Sequence, residues 1–340
     1  MLEIIVPYYL GIDGGGTKTT CAVGDESQLL ATATAGPSNI VRVGELQARE
    51  SLQQAVRQAC AAAGITPAQV AHTCVGGSGA ARPEVAVIVR RSLAEVLATP
   101  IDVVGDMQIA LEAAFDTGPG VIVIAGTGSI AYGRDANGTT VRAGGWGFAI
   151  GDEGSAHWIG RAAVSAVLRA SDLLSADLLP SELSSNASDG TRQTNPLPGS
   201  SLAAALCKAW GVTSLADLAR AANSIPPPDF AALFPAVTAS SDNLATQVLT
   251  HAGSELAQVA AVVIGRLFAK GQTAAVPVAM IGGVFRYAPL VRQVFYNELC
   301  TLDPRVEVNP QVVEPVEGAL RMSRRARHKQ CVADTGSGAV

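Results

Sequence analysis

Aromatic and charged residues are both scarce in this sequence of 340 residues, at 4% and 16%. With so few rings, the core of any folded domain must consist mostly of Ala, Val, Leu and Ile. The chain is nevertheless 48% hydrophobic, which excludes overall disorder and allows a large core. Its length is more than twice that of an average domain of about 150 residues, so two domains are expected.

Positive charge is also in short supply. The 24 Lys and Arg residues are outnumbered by 29 Asp and Glu residues, which gives a net charge of −5. A nucleic acid or an anionic membrane needs a basic face on its partner, so neither is expected to bind. A small phosphorylated ligand is not excluded, because backbone amides bind phosphate without net positive charge.

Paired cysteines and long apolar runs are missing as well. The most apolar stretch, 256–269, is interrupted by Arg266 and is shorter than the ~18 residues of a membrane span. Residues 1–10 lack the basic segment of a signal peptide and are predicted to form a strand. Six scattered cysteines form neither a disulfide framework nor a zinc motif, which favours reduced thiols in a cytoplasmic protein: Cys21, Cys60, Cys74, Cys207, Cys300 and Cys331.

A unit of strand, glycine turn and strand occurs twice, at 10–20 and 121–133. The first is followed by another predicted strand, which completes an antiparallel meander, and each is followed by helices and further strands. This weak internal repeat suggests two related lobes. Residues 180–200 are rich in Ser, Asn, Pro and Gly and are predicted to be an exposed loop.

The two glycine turns are candidate phosphate-binding sites, because phosphates prefer exposed backbone N–H groups and glycine allows close approach. The first turn, 13–19, adds hydroxyls and an ammonium group to its amides, and 126–129 supplies a second set. Neither turn is a Walker A motif or a dinucleotide fingerprint, because a strand follows instead of a helix. The alternative is that each turn only closes a hairpin.

At this point a family resemblance becomes specific. Residues 10–19, 121–133 and 280–285 resemble the first phosphate, second phosphate and adenosine motifs of the superfamily of sugar kinases, Hsp70 chaperones and actin. Within it, the sequence is most similar to the branch of N-acetylglucosamine kinases and BadF/BadG/BcrA/BcrD ATPases. The similarity covers about residues 8–325, and its most distinctive stretch runs from Gly144-Gly145-Trp146-Gly147 to Gly151-Asp152-Glu153-Gly154-Ser155.

The resemblance implies an α/β fold of two actin-like, ribonuclease H-like lobes, in which mixed sheets are flanked by helices and Mg-ATP lies in a cleft between them. The N-terminal lobe would comprise residues 1–117, with a C-terminal helix at 315–327 packing back on it. The larger lobe would comprise residues 118–314, and residues 328–340 are predicted to be a disordered tail.

For the nucleotide, the resemblance implies that Asp13 approaches Mg²⁺ through water. The ATP-binding residues would be Asp13, Gly14, Gly15, Gly16, Thr17, Lys18, Thr127, Gly128, Ser129, Gly282 and Gly283. Asp13 could instead only form the turn, and Lys18 could be a solvated strand residue. Glu153, like Lys18, is left open as a participant.

For the sugar, Asp106 is the candidate catalytic base that accepts the proton of a sugar hydroxyl, at position 6 by analogy with the family. Its alternative role is to cap the helix that follows. The other substrate-binding candidates are Asn39, Gly145, Trp146 and Asp152. Their alternatives are a turn asparagine for Asn39, ordinary core burial for Trp146, and a favourable acid at a helix N-terminus for Asp152.

The expected function is ATP-dependent phosphorylation of an amino sugar, most simply N-acetylglucosamine to its 6-phosphate, by a cytoplasmic and homodimeric enzyme. Glucosamine, N-acetylmannosamine, N-acetylmuramic acid and glucose remain open as substrates. An activator ATPase with an iron–sulfur cluster is disfavoured, because no cysteine lies between Cys74 and Cys207. A sugar-sensing repressor is disfavoured by the negative charge and by the short segment before the first strand.

Overall fold

The computed structural model describes residues 7–177, 200–268 and 274–336. The chain forms two compact units. The first unit contains Met1–Ile122, Gly133–Thr140 and Asn309–Val340, and the second contains Val123–Tyr132 and Val141–Val308. Most of the predicted loop at 180–200 lies outside the described residues.

The described residues form two five-stranded sheets. In chain order the strands are β1 Tyr8–Gly14, β2 Thr19–Gly24, β3 Leu29–Ala35, β4 Val70–Gly77, β5 Ile101–Gly105, β6 Gly120–Ala125, β7 Ser129–Arg134, β8 Thr140–Gly144, β9 Val276–Ile281 and β10 Val306–Val313. The first sheet has the order β3-β2-β1-β4-β5. The first three strands are antiparallel, as the meander predicted, while β4 pairs parallel to both β1 and β5.

The second sheet repeats the strand order of the first. Its order is β10-β9-β6-β7-β8. The first strand of this sheet in the sequence, β6, is in the centre, with the next two strands on one side and the last two on the other. The first sheet has this same arrangement. The duplication that the two glycine turns suggested is therefore present in the topology of the fold.

The helices connect and cover these strands. In chain order they are α1 Ile40–Val43, α2 Glu45–Ala62, α3 Pro83–Ala94, α4 Asp106–Phe115, α5 Ala156–Asp177, α6 Ser201–Trp210, α7 Leu215–Ala222, α8 Phe234–Thr238, α9 Asn243–Leu267, α10 Gly283–Tyr287, α11 Pro289–Leu302 and α12 Pro315–Gly336, with short 3₁₀ segments at Pro67–Gln69 and Phe230–Leu233.

Alternation along β1 divides the core of the first unit into two layers. Leu10 and Ile12 point to one face, where they are buried with residues of α2 and α3 such as Leu52. Tyr9 points to the other face and packs against Val316 and Leu320 of α12. The first sheet is therefore covered on both faces, and α4 joins α12 on the second face.

Two glycines allow α12 to pack unusually closely. A Cβ atom on Gly11 of β1 would lie 2.7 Å from the Cα of Leu320, and one on Gly318 would lie 2.5 Å from the backbone N of Ala113 in α4. Real Cβ atoms essentially never approach heavy atoms this closely, so neither position has room for a side chain. Because of these contacts, α12 fixes β1 and α4 relative to each other.

The C-terminal helix is longer than the sequence analysis predicted. We expected a helix over 315–327 and a disordered tail over 328–340, but α12 continues to Gly336. The prediction of disorder is therefore wrong as far as Gly336. The physical reason is that residues 328–335 include good helix formers and no Gly or Pro, so polarity alone does not end the helix.

The second unit is mostly helical. Helix α9 packs against α5 and α11, and its buried residues include Leu249, Leu256 and Val263. By length and composition α9 could cross a membrane, but half of its most apolar window is buried inside the protein. This is the property of a core helix as much as of a membrane span.

Candidate active site

Three polar side chains lie where the parallel strands of the first sheet end. Asp13 is near the end of β1, Ser78 follows β4, and Asp106 follows β5. The register pairs Gly14 with Gly77 and Gly77 with Gly105, so the three ends are level. In open α/β sheets, ligands bind beyond the carboxyl ends of the strands. Two of the predicted residues, Asp13 and Asp106, are thus on one edge of one sheet.

The triple-glycine turn lies on the same edge and is held in a fixed shape. The N–H of Gly15 donates to the carbonyl of Lys18 at 3.0 Å, which closes the turn between β1 and β2. The carbonyl of Gly15 accepts hydrogen bonds from the N–H groups of Ser38 and Asn39, at 3.1 and 3.3 Å. Two hydrogen bonds therefore attach the segment that contains Asn39, the sugar-binding candidate, to the glycine turn that resembles a phosphate-binding motif.

The side chains on this turn differ in exposure. Thr17 and Lys18 are exposed, whereas Thr19 is buried and its hydroxyl lies 2.8 Å from both the carbonyl of Gly36 and the hydroxyl of Ser38. Asn39 also has a structural role. Its Oδ1 accepts a hydrogen bond from the N–H of Val41 and caps the start of α1. Contact of Asn39 with a sugar stays a prediction.

The electrostatic environment of Asp13 is unusual. Burial, then the neighbouring Asp106 carboxylate, and to a smaller extent Glu314, raise the pKa of Asp13 to about 7, while Lys18 opposes the shift. Carboxylates that cluster in this way repel one another unless a cation joins them. A bound cation would offset this cost.

Asp106 is the first residue of α4. Its Oδ1 accepts a hydrogen bond from the N–H of Met107 at 2.9 Å. The alternative role as the cap of this helix is wrong, because Gly105 occupies the N-cap position and Asp106 lies in the first turn. Burial raises the pKa of Asp106, and the hydrogen bonds from Met107 and from the Ser78 side chain partly oppose the rise. A carboxylate with a raised pKa is a better proton acceptor than an ordinary surface carboxylate.

Replacement of Asp13 with Asn is expected to stabilise the protein at high pH. A folded-state pKa near 7 favours the neutral acid, so the contribution of Asp13 is full below pH 4 and is lost as the pH rises through 7. Asn mimics the neutral form, and its advantage over Asp should grow to on the order of 2 kcal/mol at pH 8, since the site is only partly buried. Chemical unfolding at pH 4 and pH 8, without nucleotide or metal, measures it.

Asp25 supplies the control of opposite sign. Hydrogen bonds from the backbone of Gln28 and Ser27 lower the pKa of Asp25, so its contribution is present above its unfolded pKa and Asp25→Asn should bring no gain at pH 8. An Asp13→Asn difference that does not change with pH would contradict the assignment.

The second glycine turn belongs to the second unit and joins β6 to β7. The N–H of Gly126 donates to the carbonyl of Gly128 at 2.9 Å, and the N–H of Ala156 at the start of α5 donates to the carbonyl of Gly126 at 2.8 Å. A Cβ on Gly126 would meet nothing within 4 Å, so the backbone there is open to a ligand. Ser129 is buried and donates through its hydroxyl to the carbonyl of Glu153 at 2.6 Å.

Asp152 connects this turn to the glycine-rich loop that precedes it. Its carboxylate accepts hydrogen bonds from the N–H of Gly147, at 3.1 Å, and from the N–H of Ser129. Burial raises the pKa of Asp152 in spite of these bonds. The residue is buried and has a left-handed backbone, with φ of 59°. Asp152 thus has a clear structural role, and sugar binding by Asp152 stays a prediction.

The alternative of core burial for Trp146 is wrong. The side chain is 66% exposed, and the guanidinium of Arg142 lies 4.9 Å from the centre of its ring. Both neighbours require glycine: Gly145 has φ of 68° and a Cβ there would lie 2.7 Å from Cδ1 of Ile130, and Gly147 has φ of 95°. An exposed ring on a constrained loop is available to a ligand.

We expect Asp152→Ala to lower the free energy of unfolding by about 1–3 kcal/mol, because two backbone N–H groups lose their buried acceptor. Asp152→Asn should cost less, since Asn keeps an acceptor oxygen and tolerates a left-handed backbone. Calorimetric unfolding of the two variants checks the order. Equal losses would show that the hydrogen bonds to Gly147 and Ser129 contribute nothing to stability.

The predicted adenosine motif lies at the end of β9. Gly282 has φ of 102° and a Cβ there would lie 2.8 Å from the carbonyl carbon of Ala125, so the position requires glycine for packing against β6. Gly283 begins α10, and its nearest neighbour is the exposed ring of Tyr287. The glycine requirement at 282 is thus explained without a ligand, and nucleotide contact remains a prediction.

Two residues at the first sheet edge escaped the sequence analysis. Ser78 hydrogen bonds to Asp106, and Glu314 lies close enough to Asp13 to raise its pKa. The glycine pair at 76–77 in front of Ser78 was the available signal, since a Cβ on Gly76 would overlap Ile109 of α4. Glu314, which is some 300 positions from Asp13 in the sequence, had no local signal.

Within residues 7–177, 200–268 and 274–336, no group of three or more His, Cys, Asp or Glu side chains is arranged to hold a metal ion directly. Cys21, Cys60, Cys74 and Cys207 are buried free thiols, and burial raises the pKa of each.

Comparison with known proteins adds family information to this geometry. The model of the BadF/BadG/BcrA/BcrD ATPase family matches residues 10–322. The chain is 38% identical over 169 residues to an N-acetylmuramic acid/N-acetylglucosamine kinase from Clostridium acetobutylicum, and 34% identical over 175 residues to an N-acetyl-D-glucosamine kinase from Dictyostelium discoideum. Each match covers 48% of this chain and 55% of the relative, so the chain spans about half the length of the curated relatives it matches.

Solved structures share the fold. A candidate N-acetylglucosamine kinase from Chromobacterium violaceum superposes with a TM-score of 0.69 at 24% identity, covering 94% of this chain and 99% of the other. A second candidate N-acetylglucosamine kinase, from Porphyromonas gingivalis, has a TM-score of 0.58 at 21% identity, with the same coverage. At these identities the likeness confirms the predicted fold class.

Proposed function

The chain belongs to the BadF/BadG/BcrA/BcrD ATPase family, and on that premise we propose that it transfers the terminal phosphoryl group of ATP to a hydroxyl of an amino sugar. The observation that carries the proposal is the edge of the first sheet. There Asp13, Asp106 and the Gly14–Gly16 turn are held together, with Asn39 attached to the same turn. A phosphate-binding turn beside a basic carboxylate and a polar segment is what sugar phosphorylation needs.

The residues present fit a nucleotide with a divalent cation. The Gly14–Gly16 turn brings backbone amides to the same edge of the first sheet as Asp13. Asp13 would hold hydrated Mg²⁺, because the cation would neutralise a carboxylate that burial and Asp106 otherwise keep near pKa 7. When bound, the cation neutralises charge on the phosphates. Within the second unit, we propose nucleotide contacts at Gly283 and at the second glycine turn, including Thr127.

Asp106 would act as the base. Its carboxylate would accept the proton of the sugar hydroxyl as that oxygen bonds to phosphorus, which is consistent with a raised pKa and with its fixed position at the start of α4. The hydrogen bonds from Met107 and Ser78 orient the carboxylate. Lys18, exposed at the end of the turn, would stabilise phosphate charge.

N-acetylglucosamine is the proposed substrate, at its 6-hydroxyl. Two relatives that match half of the chain are named as kinases of this sugar, and one of them also of N-acetylmuramic acid. Asn39, Trp146 and Asp152 are the proposed sugar contacts. A homodimeric, soluble enzyme of the cytoplasm is part of the proposal. Of these properties, only the cytoplasmic location is supported by the free thiols among the described cysteines.

A screen of ATP consumption tests this function. The purified protein is incubated with Mg-ATP and, separately, N-acetylglucosamine, N-acetylmuramic acid, N-acetylmannosamine, glucosamine and glucose, and ADP release is followed. We expect sugar-dependent release that is fastest with N-acetylglucosamine. ADP release that no sugar changes would instead favour the activator type of ATPase.

A further inference from the structure

Arg42 is a charged residue that the family resemblance did not assign to the site. It is on α1, just after Asn39, and its side chain lies along the glycine turn: a Cβ built on Gly16 would be 3.5 Å from Arg42 Nη1 and 3.8 Å from Cδ. The residue is exposed. The guanidinium of Arg42 therefore lies beside Gly16, in the turn to which we assign phosphate binding.

The backbone that carries Arg42 is fixed relative to this turn. The N–H groups of Ser38 and Asn39 both donate to the carbonyl of Gly15, and the N–H of Arg42 donates to the carbonyl of Asn39 at 2.9 Å. The Oδ1 of Asn39 caps the same short helix at Val41. The backbone of Arg42 is thus held in a fixed position relative to the turn by these hydrogen bonds.

The chemistry of the turn explains why a guanidinium belongs there. The turn offers amide donors and one ammonium, Lys18, whereas the acids Asp13, Asp106 and Glu314 are close to the same edge. A group carrying several negative charges needs more compensation than neutral amides provide. Arginine binds phosphate through two parallel N–H bonds, which gives orientation as well as charge.

We propose that Arg42 binds the terminal phosphate of ATP and is a catalytic residue in its transfer. The proposal rests on the proposed function and deepens it, because it names a phosphate contact beyond the glycine turns. The terminal phosphate is the group assigned to Arg42 because Asn39, on the same segment, is assigned to the acceptor sugar. The phosphoryl group in transit must lie between acceptor and nucleotide.

Calorimetric binding of ATP and of ADP, with Mg²⁺ and without sugar, tests the proposal. We expect Arg42→Ala to weaken ATP binding about 10- to 100-fold and ADP binding less than about threefold, since only ATP has the terminal phosphate. Arg42→Lys should recover part of the ATP affinity but less of kcat, because an ammonium lacks the paired donors. Arg57→Ala removes an exposed arginine of α2 and is the matched control, expected to change neither nucleotide.

Several results would overturn the assignment. Equal weakening of ATP and ADP would assign Arg42 to general electrostatics or to another phosphate. Unchanged affinity for both nucleotides would show that Arg42 is only a structural contact of the turn. Wild-type protein that binds neither nucleotide would remove the proposed function itself, which is a separate outcome.

Discussion

Asp106→Asn is expected to lower kcat for sugar phosphorylation by about 10²- to 10⁴-fold, because the attacking hydroxyl loses its proton acceptor. The amide oxygen of Asn still accepts the hydrogen bond from the N–H of Met107, so the start of α4 and the fold should persist. The Kd for ATP should change by less than about threefold, since Asp106 is assigned to the acceptor sugar and no phosphate contact is lost. Steady-state kinetics and calorimetric binding measure the two quantities.

The matched control is Asp102→Asn. Asp102 is on β5, four positions before Asp106, and its side chain is exposed beside His72. This variant should keep nearly full activity. Turnover of Asp106→Asn within about fivefold of wild type would remove Asp106 from the mechanism, because general-base catalysis accounts for more than that.

Gly318→Ala is expected to destabilise the first unit by a net amount of about 2 kcal/mol or more. Helix propensity alone favours Ala over Gly by about 1 kcal/mol, but the added Cβ would overlap the carbonyl of Ile109 and lie 2.5 Å from the N of Ala113. Helices α12 and α4 would have to separate, and overpacked backbones relax at a cost of about 1–3 kcal/mol, occasionally more. Scanning calorimetry records the shift in the transition temperature.

Gly265→Ala provides the contrast. Gly265 is inside α9 in the second unit, and a Cβ there would meet nothing within 4 Å. This variant should be neutral or stabilising by up to about 1 kcal/mol. Equal effects at the two glycines would show that α12 and α4 leave room for a side chain at position 318, which would contradict the close contact.

The strands, most of the helices and the repeat of the fold could be predicted from the sequence because their signals are local. Apolar runs punctuated by glycine turns gave β1, β2, β6 and β7, and both sheets have the same strand order. The predicted end of α12, at residue 327, was too early. The polar composition of the following residues resembles that of a disordered tail, although such residues also favour a helix. The loop after Gly145 was recognised, but the exposure of Trp146 depends on packing that the sequence does not display.

The site could be predicted only where motifs carried it. Asp13, Asn39 and Asp106 were identified through the resemblance, and Asp13 and Asp106 do lie at neighbouring strand ends. Ser78, Glu314 and Arg42 were not identified, because they are distant in the sequence from the site residues that they approach in the folded chain. The structural role of Asp152, whose carboxylate accepts hydrogen bonds from two backbone N–H groups, is likewise visible only in three dimensions.

Identification of the reaction product tests the central claim most directly. The protein is incubated with Mg-ATP and N-acetylglucosamine, and the products are resolved by mass spectrometry and ³¹P NMR. The proposed function predicts one sugar phosphate ester, at the 6-position, for every ADP formed. Formation of ADP and inorganic phosphate with no phosphorylated sugar, for this or any other amino sugar, would contradict it.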